Sequence, residues 1–163
     1  VQTAPDPVKT DHIRPHLIVY RDTPIGWTCI ELGELSSFVL WFGWTAARSS
    51  IGAPIGELPG GGGFARLRLQ PFEEVRATRG IRLDHIHTLV PRNKESPPEV
   101  ATYQRLLLGG SLPDGSFCML SVAEYTNEID IPGVEMSLLS EVPQDVVLPP
   151  DTLTPKFLQI SEN

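Results

Sequence analysis

The chain has 163 residues, a formal net charge of −7, 40% hydrophobic residues, 16 prolines and 14 glycines. Its length fits one domain of ordinary size, and its negative charge, with no Lys/Arg cluster to offset it, argues against a nucleic-acid partner. So many prolines and glycines argue against a helical bundle. No apolar run reaches the roughly 18 residues of a membrane span, and the expected location is the cytoplasm.

The first half of the chain predicts strands joined by turns. Residues 1–15 carry three prolines and predict a flexible arm or an edge-covering segment, ahead of a single β-barrel domain over residues 16–163. Alternating apolar side chains predict strands at 16–21 and 27–32. The aromatic and aliphatic run at 37–46 predicts a third strand, with a short buried helix as the alternative.

The glycine-rich stretch at residues 52–63 predicts a turn-rich loop, because consecutive glycines supply unusual backbone angles. It lacks the lysine of a phosphate-binding loop. Alternation at 64–70 predicts a fourth strand with a solvated outer side, and residues 75–77 are expected to continue the sheet.

The strand predicted at residues 80–91 carries an unusual pair of side chains. Alternation places His85 and His87 on one face with three aliphatic residues, Ile81, Leu83 and Leu89. Imidazoles inside an apolar surface need hydrogen-bond partners. We expect both to point into an enclosed space, where either a small ligand or the hydroxyls and carboxylates of the core would be those partners. Asp84 lies on the opposite face, where a salt bridge to Arg82, or to Arg66 or Arg68 of a neighbouring strand, is its expected role.

One helix is predicted, over about residues 97–108. Ser96 and Glu99 have the spacing of a capping box, Pro97 suits the first helical position, and two glycines at 109–110 suit the end. The apolar stripe consists of Val100, Tyr103, Leu106 and Leu107. Further strands are predicted at 116–122, 134–141 and 156–160. The predicted fold class is mainly β: an antiparallel β-barrel or strongly curled sheet with one capped α-helix.

Three short motifs resemble a family of small β-barrel proteins catalogued as domain of unknown function 3237. They are Gly-Glu-Leu-Pro-Gly-Gly at residues 56–61, Val-Arg-Ala-Thr at 75–78 and Pro-Pro-Glu-Val at 97–100. The resemblance covers residues 16–125. The chain departs from the family after the glycine pair, where an acidic residue is usual, and lacks its Trp-Leu-Asn-like segment. The resemblance implies a small barrel and says little about activity.

The two histidines are the centre of the predicted chemistry, because imidazole exchanges protons near neutral pH. Glu124 and Tyr125 follow an apolar strand and are expected to complete a catalytic set at the barrel mouth. A second group is expected to contact the substrate: Trp41, Trp44, Leu83, Leu89 and Met119. Neither a nucleophile elbow nor a cofactor motif is present, so no cofactor is predicted.

The predicted function is a cofactor-independent isomerase or cyclase that acts on a hydrophobic small molecule of the secondary-metabolite type. One alternative is a non-catalytic, lipocalin-like carrier of an apolar ligand. Another is a cupin-like metal-dependent enzyme built on His85 and His87, although no metal site is predicted, and a third is a protein-interaction module. Cys29 and Cys118 are expected to be reduced, buried thiols, and apolar strand faces favour a homodimer.

Overall fold

The protein contains an open, antiparallel, five-stranded sheet. The computed structural model describes residues 11–59, 61–93 and 95–128, with the backbone alone for 61–68. The strands are β1 (Ile18–Thr23), β2 (Gly26–Leu32), β3 (Ile81–Pro91), β4 (Pro98–Ser111) and β5 (Phe117–Tyr125). Their order across the sheet is β2-β1-β5-β4-β3, and every neighbouring pair is antiparallel. The prediction of a mainly β, antiparallel fold is confirmed, and the sheet is not closed into a barrel.

All three α-helices of the described residues lie between β2 and β3 in the chain. They are α1 (Ser37–Phe42), α2 (Trp44–Ser50) and α3 (Gly61–Thr78). One turn of α3 brings Phe72 and Val75, 1% and 2% exposed, into the main core. The Phe72 ring meets those of Tyr20 and Trp27 edge-on, with centroids 5.0 and 5.4 Å apart. Burial of these aromatic rings holds α3 against one face of the sheet.

The two faces of the sheet differ in what covers them. Tyr103 and Leu107 of β4 point toward α1 and α3, and we call their side the helix face. The opposite side is the histidine face, because His85 and His87 pair there with Gln104 and Thr102 of β4. A smaller apolar cluster lies on the histidine face, formed by Leu17, Val19 and Cys118 with Ile30, Leu112, Leu120 and Val122 around them.

The strand predicted at residues 37–46 is wrong, and the helical alternative is right. The Ser36 hydroxyl accepts a hydrogen bond from the Val39 amide and caps α1. Phe38 and Trp41, three residues apart, are both buried, as one face of a helix requires. Gly43, with φ of 84°, separates α1 from α2 by a backbone conformation that favours glycine.

The strand predicted at 64–70 and its continuation at 75–77 are also wrong, since both segments belong to α3. The turn-rich loop predicted at 52–63 is found only in its first part, with a short 3-10 turn at Ile55–Glu57. Residues 61–63 begin the helix. An alternating pattern in so short a segment did not outweigh the burial that Phe72 and Val75 gain in a helix.

The capped helix predicted over about 97–108 is wrong as well, because these residues form β4. Ser96 does not cap: its hydroxyl and its amide both donate to the Asn93 side chain. Glu99 accepts from Arg92 instead of reaching back to Ser96. β4 is the strand between β3 and β5 and forms ladders with both, so pairing on two sides replaces the internal hydrogen bonds of a helix.

The remaining strand predictions have a simple outcome. Those at 16–21, 27–32, 80–91 and 116–122 are confirmed as β1, β2, β3 and β5, within a few residues at each end. Those at 134–141 and 156–160 lie outside the described residues. Both cysteines are buried and form no disulfide, as predicted. None of the helices in the described part of the chain has the length and apolar character to cross a bilayer.

Candidate functional site: a cavity on the helix face

A small cavity lies between the helix face of the sheet and the helices. Its volume is about 40 Å³, which is room for roughly three water molecules. The residues around it come from three strands and two helices and are mostly aromatic: Ile18, Tyr20, Ser37, Phe38, Phe42, Phe72, Tyr103, Arg105, Ser121, Ala123 and Tyr125. The cavity therefore has apolar walls with a few polar groups, the usual composition of a small-molecule site.

Two serines are the least expected members of this wall. Ser37 and Ser121 are 7% and 5% exposed. No hydrogen bond joins either hydroxyl to another side chain or to the backbone within the described residues, although the Ser37 carbonyl accepts from the Tyr125 hydroxyl at 3.4 Å. Both side chains border the cavity, so their hydroxyls are open to whatever occupies it. A ligand or water in the cavity would provide a hydrogen-bond partner for each.

A buried ion-pair network forms the floor of the cavity at Arg105. Its Nη2 and Nε donate to Asp84 Oδ2 at 2.5 and 3.1 Å, and Asp84 is 1% exposed. The other oxygen, Oδ1, accepts from Arg82 Nε at 2.6 Å, and Arg82 also binds Glu74 of α3. The predicted Asp84–Arg82 salt bridge is confirmed. The Arg105 contact was not predicted, and the side chains of Arg66 and Arg68 lie outside the described part.

The two histidines do not reach this cavity. β3 residues that pair with cavity residues are Asp84 and Ile86, opposite Arg105 and Tyr103. His85 and His87 alternate with them and point to the other side of the sheet. The strand and the shared face were predicted correctly, but the enclosed space they were expected to enter lies on the opposite face.

His87 is nevertheless buried, at 9% exposed. A hydrogen bond of 3.0 Å joins its Nδ1 to the Thr102 hydroxyl, while Nε2 is buried and makes no hydrogen bond with any described residue. Burial lowers the pKa of His87 below its ordinary value, because a charged imidazolium loses its hydration there. The ring is therefore neutral at neutral pH.

The other predicted catalytic residues are divided between the two faces. Tyr125 lines the cavity, and its ring packs edge-on against Tyr103 at 5.6 Å. Glu124 is exposed and pairs with Gln104 on the histidine face. The structure thus separates Tyr125 from the histidines with which it was grouped.

The predicted substrate contacts are divided in the same way. Trp41 is buried behind the cavity and stacks on Tyr125, with centroids 5.2 Å apart, and Met119 is fully buried in the core. Leu83 and Leu89 are half-buried on the histidine face. Trp44 is 42% exposed at the start of α2, so it faces solvent.

Of the eleven residues that line the cavity, only Tyr125 belonged to the predicted site, and the ten that were missed include Ser37, Arg105 and Ser121. A usable signal existed for Arg105, since a charged residue stands there between apolar neighbours in a strand-like alternation. The serines gave no such signal, because serine is common in any exposed segment.

Metal binding has little support from the side chains. In residues 11–59, 61–93 and 95–128, no group of three or more His, Cys, Asp or Glu side chains is placed to hold a metal ion. His85 and His87 thus lack a third ligand within that part of the chain.

Comparisons with known proteins add nothing to these geometric observations. No family model, no curated protein and no solved structure matches the chain at a significant level.

Proposed function

We propose that this protein is a binding domain that holds a small molecule, without chemistry, in the cavity between the helix face of its sheet and the helices. The observation that carries the proposal is the pair of buried residues Ser37 and Ser121, which line one cavity and whose hydroxyls make no hydrogen bond with a described residue. Because both hydroxyls are open to the cavity, a ligand that occupies it can hydrogen-bond to both of them.

The shape of the cavity supports a small ligand. Phe38, Phe42 and Phe72 form apolar walls around it, and these can take up a short hydrocarbon group. The space inside the cavity is only about 40 Å³, so the part of a ligand that enters it is compact unless side chains at the wall move. The expected ligand is therefore a compact molecule with one polar end and one apolar end.

An isomerase or cyclase has less support than a binder. Its acid or base would have to reach a ligand in the cavity, and of the four residues predicted as catalytic only Tyr125 lines it. The Tyr125 hydroxyl already donates to the Ser37 carbonyl at 3.4 Å. Binding without catalysis therefore fits the geometry best.

The proposal is tested by filling the cavity. Ala123 lines it, and Ala123→Leu would place three additional carbons in the space that the ligand needs. The matched control is Val122→Leu, since Val122 is the next residue of β5 and points to the histidine face. Native mass spectrometry of protein purified without denaturation would detect a retained small molecule, and calorimetric titration would measure binding of added compounds.

We expect the wild type and Val122→Leu to bind the same compound and Ala123→Leu to lose it, with circular dichroism showing an unchanged fold. A further variant, His85→Gln with His87→Asn, is expected to bind as the wild type does. Equal binding by Ala123→Leu would contradict a site in this cavity. Loss of binding in the histidine variant would indicate that the ligand binds on the histidine face instead.

A further inference from the structure

We infer that the outer side of α1 and α2 docks on the surface of a lipid bilayer. The surface that would make the contact consists of four exposed apolar side chains, which we call the apolar patch. They are Leu35, Leu40, Trp44 and Ile51, which are 49%, 65%, 42% and 50% exposed. None of these four side chains lines the cavity, so the patch is separate from the proposed ligand site.

The apolar patch is a concentration of exposed side chains in one short part of the chain. Large apolar side chains are exposed at eight positions of the described residues, and half of these positions fall within residues 35–51. The other four are spread along the chain, at Ile13, Ile25, Leu69 and Ile81. Single exposed apolar residues are normal on a protein surface, whereas several together mark an interaction site.

The direction of Leu40 follows from the packing of α1. Phe38 and Trp41 are buried, and each residue of an α-helix is turned by about 100° from the one before it. Leu40 therefore lies about 100° from Trp41 and about 160° from Phe38, on the side of the helix that faces away from the sheet. Trp44 begins α2 directly after Gly43, so the two most characteristic residues of the patch are close in the chain.

The polar composition around the apolar patch favours lipid over a protein partner. Residues 35–56 contain no Asp, Glu, Lys, His, Asn or Gln, and Arg48 is their single charged residue, although the whole chain has 20 acidic residues. A protein interface uses about one hydrogen bond per 100–200 Å², and here only hydroxyls and Arg48 could supply such bonds. A bilayer boundary requires no directional partner, and it disfavours carboxylates because they would lose their hydration there.

Trp44 and Arg48 are suited to the level of the lipid headgroups. Arg48 follows one turn after Trp44, and its Cζ lies 5.3 Å from the centroid of the Trp44 ring. Both side chains have an apolar body and a polar tip, and tryptophan is enriched at membrane–water interfaces. With 6 and 7 residues, α1 and α2 would lie along the surface, and Leu40 would enter the outer part of the acyl chains.

The full chain carries its own probe for this contact. Of its three tryptophans, Trp27 and Trp41 are buried and Trp44 is exposed. The experiment adds phosphatidylcholine vesicles and follows the tryptophan emission maximum, together with flotation of the protein through a density gradient. We expect a blue shift, quenching by phosphatidylcholine with brominated acyl chains, and flotation that is equal at low and high salt, because insertion of apolar side chains is not screened by ions.

Two matched variants locate the contact. Leu40→Gln should weaken vesicle binding at least about tenfold, because a leucine side chain no longer leaves water. The control is Ile25→Gln, in the turn between β1 and β2, since Ile25 is 68% exposed and should not contribute. Circular dichroism checks that both variants fold. If Leu40→Gln does not fold, Trp44→Gln replaces it, with flotation as the measurement. Ala123→Leu, which fills the cavity, should bind vesicles as the wild type does.

Three outcomes would overturn the assignment. Wild-type protein that does not float with the vesicles would refute lipid docking. Equal flotation of the wild type and Leu40→Gln would show that lipid contacts another surface. A dimer in sedimentation velocity without vesicles, abolished by Leu40→Gln and accompanied by no flotation, would assign the apolar patch to a second copy of the chain. Each of these results would leave the proposed binding function unchanged, because retention of a ligand is measured separately.

Discussion

The change Asp84→Asn is expected to destabilise the fold strongly, because Asp84 is 1% exposed and pairs with two guanidinium groups. Asparagine keeps the shape of aspartate but removes its charge and replaces one accepting oxygen with a donor. Asp84 receives three hydrogen bonds from two guanidinium groups, at 2.5, 2.6 and 3.1 Å. In the variant, Arg105, which is 5% exposed, loses the counter-charge that Asp84 provides.

The magnitude follows from burial. Two unit charges about 3 Å apart attract by roughly 5 kcal/mol at an effective dielectric constant of about 20, and the loss of one partner from a buried pair usually costs about 3–5 kcal/mol. We expect Asp84→Asn to lower the free energy of unfolding by about that amount. Urea unfolding followed by tryptophan fluorescence measures it, since Trp27 and Trp41 are buried.

An exposed ion pair provides the control. Glu99 contacts Arg92 at 3.1 Å, with both side chains about half exposed, and Glu99→Gln should cost less than about 1 kcal/mol because solvent screens the pair. A double variant, Asp84→Leu with Arg105→Met, should lose less than the sum of its single changes, since neither charge is then buried alone. If Asp84→Asn costs no more than Glu99→Gln, the burial argument is refuted.

Further predictions concern a histidine, a glycine and the thiols. Because burial lowers the pKa of His87, the unfolded chain binds its proton more readily than the folded protein, so stability should fall as the pH drops below about 6.5. His87→Asn should show a smaller loss of stability between pH 7.5 and 5.5 in urea unfolding, and an equal loss would contradict the assignment. Gly33→Ala would place a Cβ 2.1 Å from the Pro15 carbonyl oxygen and should cost about 1–3 kcal/mol or more, whereas Gly56→Ala, with nothing within 4 Å, should change stability by no more than about 1 kcal/mol. Burial raises the pKa of the Cys118 thiol, and Cys29 is fully buried, so a thiol reagent should label the cysteines in urea and not in the native protein.

The antiparallel sheet could be predicted because four of its strands show local alternation that no other element explains. β3 is the clearest, since its register with β4 runs without interruption from Ile81 to Pro91. β4 was predicted as a helix because its apolar residues have helical spacing: Val100, Tyr103, Leu106 and Leu107. The alternation of Tyr103, Arg105 and Leu107 fits a strand equally well. Local sequence cannot decide between the two, since the decision depends on pairing with β3 and β5.

The candidate site was harder to predict than the fold. Alternation along β3 correctly assigned His85 and His87 to one face and Asp84 to the other, but it gave no indication of which face the rest of the chain would cover. Aliphatic neighbours made the histidine side look like the interior. The helix face carries its own apolar residues, Ile86 and Val90, together with the charged Asp84, and charge made that side look like the exterior.

The misplaced site and the missed helix have one cause. The helix face is interior because α1 and α3 lie on it, and both segments were predicted as strands. If residues 61–78 are a helix, Phe72 and Val75 fall on one side of it and need an apolar surface to pack against. The helix face offers that surface around Tyr20 and Leu107. A charged residue such as Arg105 can face this interior because Asp84 lies directly opposite it in the register. In a sheet with apolar residues on both faces, the helices therefore determine which face is buried. An error in the prediction of one helix then places the predicted site on the wrong face.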